Sequence, residues 1–202
     1  MFGNLVAESL QAKGVDTSYL IRSNDVATGA SSANSAIVHA GFDAKEGSMK
    51  ARMNVRGSQM MEQVCAELGV SYKRNGSLVV AFENERAEVE AIYRRGVQNG
   101  VEGLRIVEKE ELFEMEPNLN PEVKGGLWIP RESIIDPFIL VQAYAENAYA
   151  NGVRFLLSTK VTGITAKDGK IQSVQTTGVG NNDAFYIFND IGTDPDIYGL
   201  RQ

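Results

Sequence analysis

Apolar positions recur along this chain at two spacings, one of three to four residues and one of two. The first marks helices with one buried face and the second marks strands. Leu5, Val6 and Leu10 share a face of a helix over residues 3–13, and Gly14 closes it as a C-cap. Ser18 to Ile21 reads as a short strand. Residues 24–36 are Ser, Asn, Ala and Gly in the main and predict a loop running into a short helix. A long helix follows over about 48–68. Short strands are predicted around Ser71-Tyr72-Lys73 and from Ser77 to Phe82. Asn75-Gly76 between them gives the strongest short hairpin signal, so the two are expected to pair.

Residues 84–99 form a charged helical stretch that ends at Gly100, and Leu104 to Val107 is a strand. An acidic start and Pro117 bound a helix over 108–116. Gly125 to Ile129 is a strand, and Asp136-Pro137 opens a helix running to Asn151-Gly152, with Asp as N-cap and Pro at the first helical position. The remainder is strand-rich, over Val153 to Leu157, Val161 to Ala166 and Ile171 to Gln175. Lys167-Asp168-Gly169-Lys170 is a hairpin turn. No repeat interrupts the alternation, so the class is α/β or α+β.

Composition narrows the partners. Of 202 residues, 43% are hydrophobic and 23% charged, which suits a soluble globular chain with a real core. The net charge is −6, and an acidic surface repels phosphate backbones and anionic lipids, so nucleic acid is not an expected partner. No apolar run approaches the roughly 18 residues of a membrane span. No signal peptide is read at the N-terminus. Cys65 is the single cysteine, which rules out an intrachain disulfide, favours a reducing compartment and predicts a buried small hydrophobe. The expected location is the cytoplasm.

The chemistry concentrates in one stretch, Asn24-Asp25-Val26-Ala27-Thr28-Gly29-Ala30-Ser31-Ser32-Ala33-Asn34-Ser35-Ala36-Ile37-Val38-His39-Ala40-Gly41-Phe42-Asp43-Ala44. Hydroxyl and backbone N–H donors at close range suit a pyrophosphate and the polar edge of a ring cofactor, and Gly29, Ala30, Ala40 and Gly41 leave room for backbone approach. Composition alone favours a solvated Ser-rich turn. The stretch resembles the segment after the second strand of the FAD domain in FAD-dependent oxidoreductases of the glycerol-3-phosphate dehydrogenase and L-2-hydroxyglutarate oxidase type. Gly47-Ser48-Met49-Lys50-Ala51, Lys73 to Ala81, Ile134-Ile135-Asp136-Pro137 and the hairpin Lys160 to Thr176 match the same family in order.

The resemblance implies FAD as cofactor and a small hydroxy compound, such as glycerol 3-phosphate or a 2-hydroxy acid, as substrate. It implies a partial FAD-binding, Rossmann-like domain from residues 1–44 and 151–202, with a mixed-sheet substrate domain portion inserted at 45–150. Thr28, Gly29, Ser31, Ser32, Asn34 and Ser35 then lie along the pyrophosphate and ribityl region, and His39-Ala40-Gly41 lies near the flavin ring. His39, the only histidine, is a packed or surface residue on its own merits. The resemblance implies a catalytic, flavin-side role, in which its imidazole either tunes the ring or helps take a substrate hydroxyl proton. Val161 is either a core valine or the backbone contact to the adenine. Arg52, Arg56, Lys73 and Arg74 read as solvated charges. No metal ligands are expected.

The sequence also departs from the family. Gly3 takes the place of the third glycine of the G-x-G-x-x-G fingerprint, and no residues match the first strand and first two glycines. Ile21 stands where the family has an acidic residue for the ribose. The expectation is a partial or remodelled chain that binds FAD weakly, with a partner chain filling the sheet edge left open. Two alternatives compete. One is an inactive scaffold or interaction domain. The other follows from a second resemblance, to ribokinase-type sugar kinases, in Phe2 to Thr28-Gly29 and in Thr176-Thr177-Gly178-Val179-Gly180-Asn181-Asn182-Asp183-Ala184-Phe185, where Asp183 would be the base.

Overall fold

The structure is a computed structural model that describes residue 10 and residues 12–177. Of the amphipathic helix expected over 3–13 only Leu10, Ala12 and Lys13 are described, the last two in a turn closed on the Leu10 carbonyl; Gly3 and Asp183 lie outside the described residues. By contact the chain divides into two compact units, one of residues 29–143 and one of residues 1–28 with 144–202.

The unit of residues 29–143 holds two three-stranded sheets. β2 (Ile37–Val38), β7 (Ser133–Ile135) and β3 (Tyr72–Lys73) form one, in the order β2-β7-β3. β4 (Ser77–Ala81), β6 (Gly125–Ile129) and β5 (Arg105–Glu108) form the other, in the order β4-β6-β5. β6 is central in one sheet and β7 central in the other, so the short link at residues 130–132 joins the middles of both. The α/β class holds, yet every described pair in this unit is antiparallel, where a mixed sheet was expected.

The hairpin predicted at Asn75-Gly76 does not form. β3 pairs with β7, and β4 pairs with β6. A two-residue type I′ turn needs positive φ at both central residues, and only Gly76 has it, at +68°. A side chain at Gly76 would run into the Trp128 ring, so this glycine serves a close approach between β4 and β6. Asp168 and Gly169 do meet the type I′ requirement, with φ of +53° and +74°, and join β9 (Lys160–Lys167) to β10 (Lys170–Thr177) in the predicted hairpin.

Three helices accompany the sheets of this unit. α1 (Met49–Glu67) is capped by Ser48, whose side chain accepts from the Ala51 N–H, and it buries Ala51, Ser58 and Cys65, seven residues apart on one face. Cys65 is fully buried, as expected of a small hydrophobe. α2 (Arg86–Gln98) covers the β4-β6-β5 sheet, and α3 (Lys109–Met115) follows β5. One apolar cluster joins Ala40, Ala81, Val89, Val101, Leu104, Leu127 and Ile129. Leu127 and Ile129 are wholly buried, each contributing about 1.5–3 kcal/mol.

In the other unit β1 (Ser18–Leu20) pairs in parallel with β8 (Arg154–Leu156). Ala148, Val153, Tyr19 and Phe155 pack behind this pair. The helix α4 (Pro137–Ala150) begins in one unit and ends in the other. No described helix is long and apolar enough to cross a membrane.

Candidate functional site

The expected cofactor segment is an exposed loop that ends in the two-residue strand β2, where Ile37 is exposed and Val38 buried. Gly29–Ser31 is a single 3₁₀ turn, and Gly29 takes a φ of +65° with open space where a side chain would stand. Asn34 braces the turn from inside. Its Nδ2 donates to the carbonyls of Ala30 and Ser31, at 3.3 and 3.0 Å, and its Oδ1 accepts from the Ala36 N–H at 2.8 Å. That brace holds Ala36 at a φ of +61°, a left-handed conformation costing an alanine of order 1 kcal/mol. The Ser32 hydroxyl donates back to the Gly29 carbonyl. The hydroxyls of Ser31 and Ser35 have no hydrogen-bond partner among the described residues. Thr28 donates to the Ser23 hydroxyl and belongs by contact to the other unit.

From Val38 onward the segment turns inward. Ala40 is 3% exposed and sits in the main apolar cluster. Gly41 has a φ of +99°, and a Cβ there would come within 2.9 Å of Val55 on α1. The glycine is thus required by helix packing within this chain. Asn99, capping α2, donates to the carbonyls of Gly41 and Ala44 at 2.9 and 2.8 Å and fixes the turn from behind.

His39 lies between these two regimes. Its ring is 56% exposed, while Nδ1 is 3.0 Å from Glu132 Oε1. Glu132 is 4% exposed. The same Oε1 accepts from the Ala40 N–H at 3.3 Å, and Oε2 accepts from the Ser77 hydroxyl at 2.6 Å. The Glu132 carbonyl accepts from the Gly76 N–H at 3.0 Å. Beside it, Ser133 donates to the Tyr72 hydroxyl at 2.6 Å. A carboxylate is taken out of water only where donors replace it, and here two segments supply them: His39 and Ala40 just after β2, and Ser77 at the start of β4. Among the described residues no group of three or more His, Cys, Asp or Glu side chains converges as a metal site would require.

Sequence reasoning missed Glu132. The available signal was one carboxylate set between the apolar runs Leu127-Trp128-Ile129-Pro130 and Ile134-Ile135. Val161 is 44% exposed in β9, opposite Thr176, and falls in the other unit from His39. Of the four cations set aside as solvated, Arg52, Arg56 and Lys73 are exposed, and Arg74 pairs with Glu62 at 2.5 Å.

A glycerol 3-phosphate dehydrogenase of Caloramator mitchellensis is 38% identical over 193 residues, covering 95% of this chain and 40% of the relative. The human mitochondrial L-2-hydroxyglutarate dehydrogenase is 32% identical over 159 residues, covering 77% of this chain and 34% of that protein. Among solved structures, the dithionite-reduced L-α-glycerophosphate oxidase of Mycoplasma pneumoniae with FAD bound superposes with a TM-score of 0.79 at 27% identity, over 86% of this chain and 46% of that one. Glycine oxidase from Geobacillus kaustophilus shares the fold, with a TM-score of 0.80 at 21% identity over 91% of this chain and 50% of its own. The chain therefore spans 40% or less of the length of these two curated relatives.

The family model described as FAD dependent oxidoreductase matches residues 1–189. That match runs through both end segments that resemble sugar kinases, so their pattern belongs to the flavoprotein sequence, and the kinase and scaffold alternatives gain no support. Thr176 and Thr177 are strand residues of β10, and Gly178 to Phe185 lie outside the described residues. With nearly the whole sequence inside one family match, and the fold shared with its solved structures, this chain belongs to the FAD dependent oxidoreductase family.

Proposed function

We propose that this chain carries part of the FAD site and the proton-accepting histidine of an oxidoreductase acting on a small hydroxy compound, such as glycerol 3-phosphate or a 2-hydroxy acid. The substrate class rests on the relatives, which are named for glycerol 3-phosphate and L-2-hydroxyglutarate. The observation that carries the reading is His39, a half-exposed imidazole at the end of a donor-rich loop and braced by a buried carboxylate.

The residues fit the cofactor. Gly29 leaves open space, and the Ser31 and Ser35 hydroxyls, without a hydrogen-bond partner among the described residues, are placed to bond its phosphates and ribityl chain. Thr28, Ser32, Asn34, Ala40 and Gly41 shape that segment. Residues 45–150 form the substrate-facing portion. In this reading a partner chain completes the FAD domain. The lone, buried Cys65 suits a reducing compartment such as the cytoplasm.

FAD, when bound, supplies the acceptor for the hydride leaving the hydroxyl-bearing carbon. His39 takes the hydroxyl proton as that bond to carbon becomes a carbonyl, and the loop holds the reacting groups in register.

Titration with FAD, followed by visible absorbance and flavin fluorescence, tests the cofactor. A saturable band shift is expected, and replacing Ser31 and Ser35 by Ala weakens it by roughly 2- to 10-fold per lost hydrogen bond. In assays with glycerol 3-phosphate or 2-hydroxy acids and an artificial electron acceptor, His39→Ala lowers turnover about 10²- to 10⁴-fold at saturating FAD. Absence of any spectral change on FAD addition would sink the cofactor reading, and unaltered turnover in His39→Ala would sink the catalytic one.

A further inference from the structure

We propose that Glu132 is a positioning residue that fixes the tautomer of His39, leaving Nε2 unprotonated on the exposed side of the ring. The inference rests on the reading of His39 as proton acceptor and names the group that makes it competent.

A neutral imidazole carries its proton on one nitrogen or the other, and the partner of one nitrogen decides the state of both. An ionised carboxylate only accepts hydrogen bonds. Glu132 Oε1 lies 3.0 Å from His39 Nδ1, so the short contact is satisfied when Nδ1 carries hydrogen. Nε2 then has a lone pair and no hydrogen-bond partner among the described residues, on a ring 56% exposed.

The carboxylate is itself held in place. Oε1 also accepts from the Ala40 N–H, which ties it to the backbone directly after His39. Oε2 is taken by the Ser77 hydroxyl at 2.6 Å. The Glu132 backbone is latched to Gly76. Both oxygens are thus occupied, Oε1 by the backbone just after β2 and Oε2 by the first residue of β4, and the carboxylate cannot swing away from the ring without giving up the Ala40 N–H and the Ser77 hydroxyl. Burial at 4% exposure keeps water from replacing it as the Nδ1 partner. In the proposed reaction the substrate O–H bond breaks, its proton forms a bond to Nε2, and the positive charge that appears on the ring faces a carboxylate already in contact.

His39 is the only histidine, so a spectrum of the chain labelled with ¹⁵N-histidine reports one ring alone. Recorded without cofactor, at a pH where a free imidazole is neutral, it is expected to show Nδ1 as the protonated, pyrrole-type nitrogen and Nε2 as the pyridine type. In Glu132→Ala the two ¹⁵N signals are expected to exchange character, with hydrogen moving largely to Nε2. Glu132→Gln keeps an amide oxygen at the Oε1 position and an NH₂ that meets the Ser77 hydroxyl, so it retains the Nδ1–H form and controls for folding. A wild-type ring that is protonated on Nε2, or on both nitrogens, overturns the proposal. So does a folded Glu132→Ala protein whose signals match the wild type. Should Glu132→Ala fail to fold, the wild-type spectrum still decides. The measurement needs neither FAD nor turnover. A confirmed tautomer with no His39-dependent oxidation would leave this inference standing and remove the proposed function.

Discussion

At the scale of single residues, burial decides what a reactive group does. Cys65 and His39 are each the only residue of their kind. The thiol is wholly inside α1's packed face, and burial pushes its pKa up from the ordinary value, because the thiolate is the form that loses solvation. The consequence for stability has a definite sign. Above about pH 8.5 the unfolded chain releases the Cys65 proton while the folded chain keeps it. The unfolded state is then favoured, so the contribution is intact below that pH and is lost as pH rises through it. Urea unfolding at pH 7 and at pH 10 is expected to show a larger loss of stability in the wild type than in Cys65→Ala. Equal losses in the two proteins would show that the thiol ionises as freely folded as unfolded. The native thiol should also react slowly with iodoacetamide, with the rate rising on unfolding.

At the scale of elements, the sequence is informative wherever one local rule governs the outcome. Asp136-Pro137 is such a case. Asp136 Oδ1 accepts from the N–H groups of Phe138 and Ile139 at 2.9 and 3.1 Å, two of the donors that the helix start leaves unpaired. Asp136→Ala is expected to cost about 1 kcal/mol in urea unfolding with an unchanged slope, and Asp136→Asn a smaller amount. A cost within a few tenths of a kcal/mol for Asp136→Ala would mean that the cap is replaced by water. The Asp168-Gly169 turn was legible for the same reason, since its conformation is set by its own two residues. Asn75-Gly76 carries an equally strong local signal and misleads, because the partners of β3 and β4 are chosen by distant strands and Gly76 is needed for Trp128. β2 and β7, at two and three residues, are too short to show a period and were not legible at all. The candidate site divides likewise. The loop and His39 could be named from the order of residues. Glu132 could not, because its meaning comes from contacts across 93 residues to His39 and 55 to Ser77.

At the scale of the whole molecule, the residues that hold His39 are contiguous in sequence terms even though its partners are far apart. Both three-stranded sheets, α1 to α3 and the Glu132 contacts lie inside residues 29–143. So do two apolar clusters, the one around Leu127 and Ile129 and the one formed by Val107, Leu112 and Val123. A stretch with its own cores and its own strand pairing meets the physical definition of a folding unit. Residues 29–150, extended past the contact boundary so that α4 stays whole, are therefore expected to unfold cooperatively in urea when produced alone. They should also give the ¹⁵N signature of His39 seen in the full chain. The second readout is the more demanding one, because a loosely collapsed fragment can keep its helices while losing the fixed side-chain packing that holds a buried carboxylate against a ring. A broad, non-cooperative transition, or a His39 spectrum like that of a free imidazole, would show that Glu132 is held in place only with the help of residues outside this stretch. A sharp transition with the tautomer preserved would place the proton-accepting group and its positioning carboxylate on a unit that folds before any cofactor is bound, so that FAD meets a ring already set in the orientation it needs.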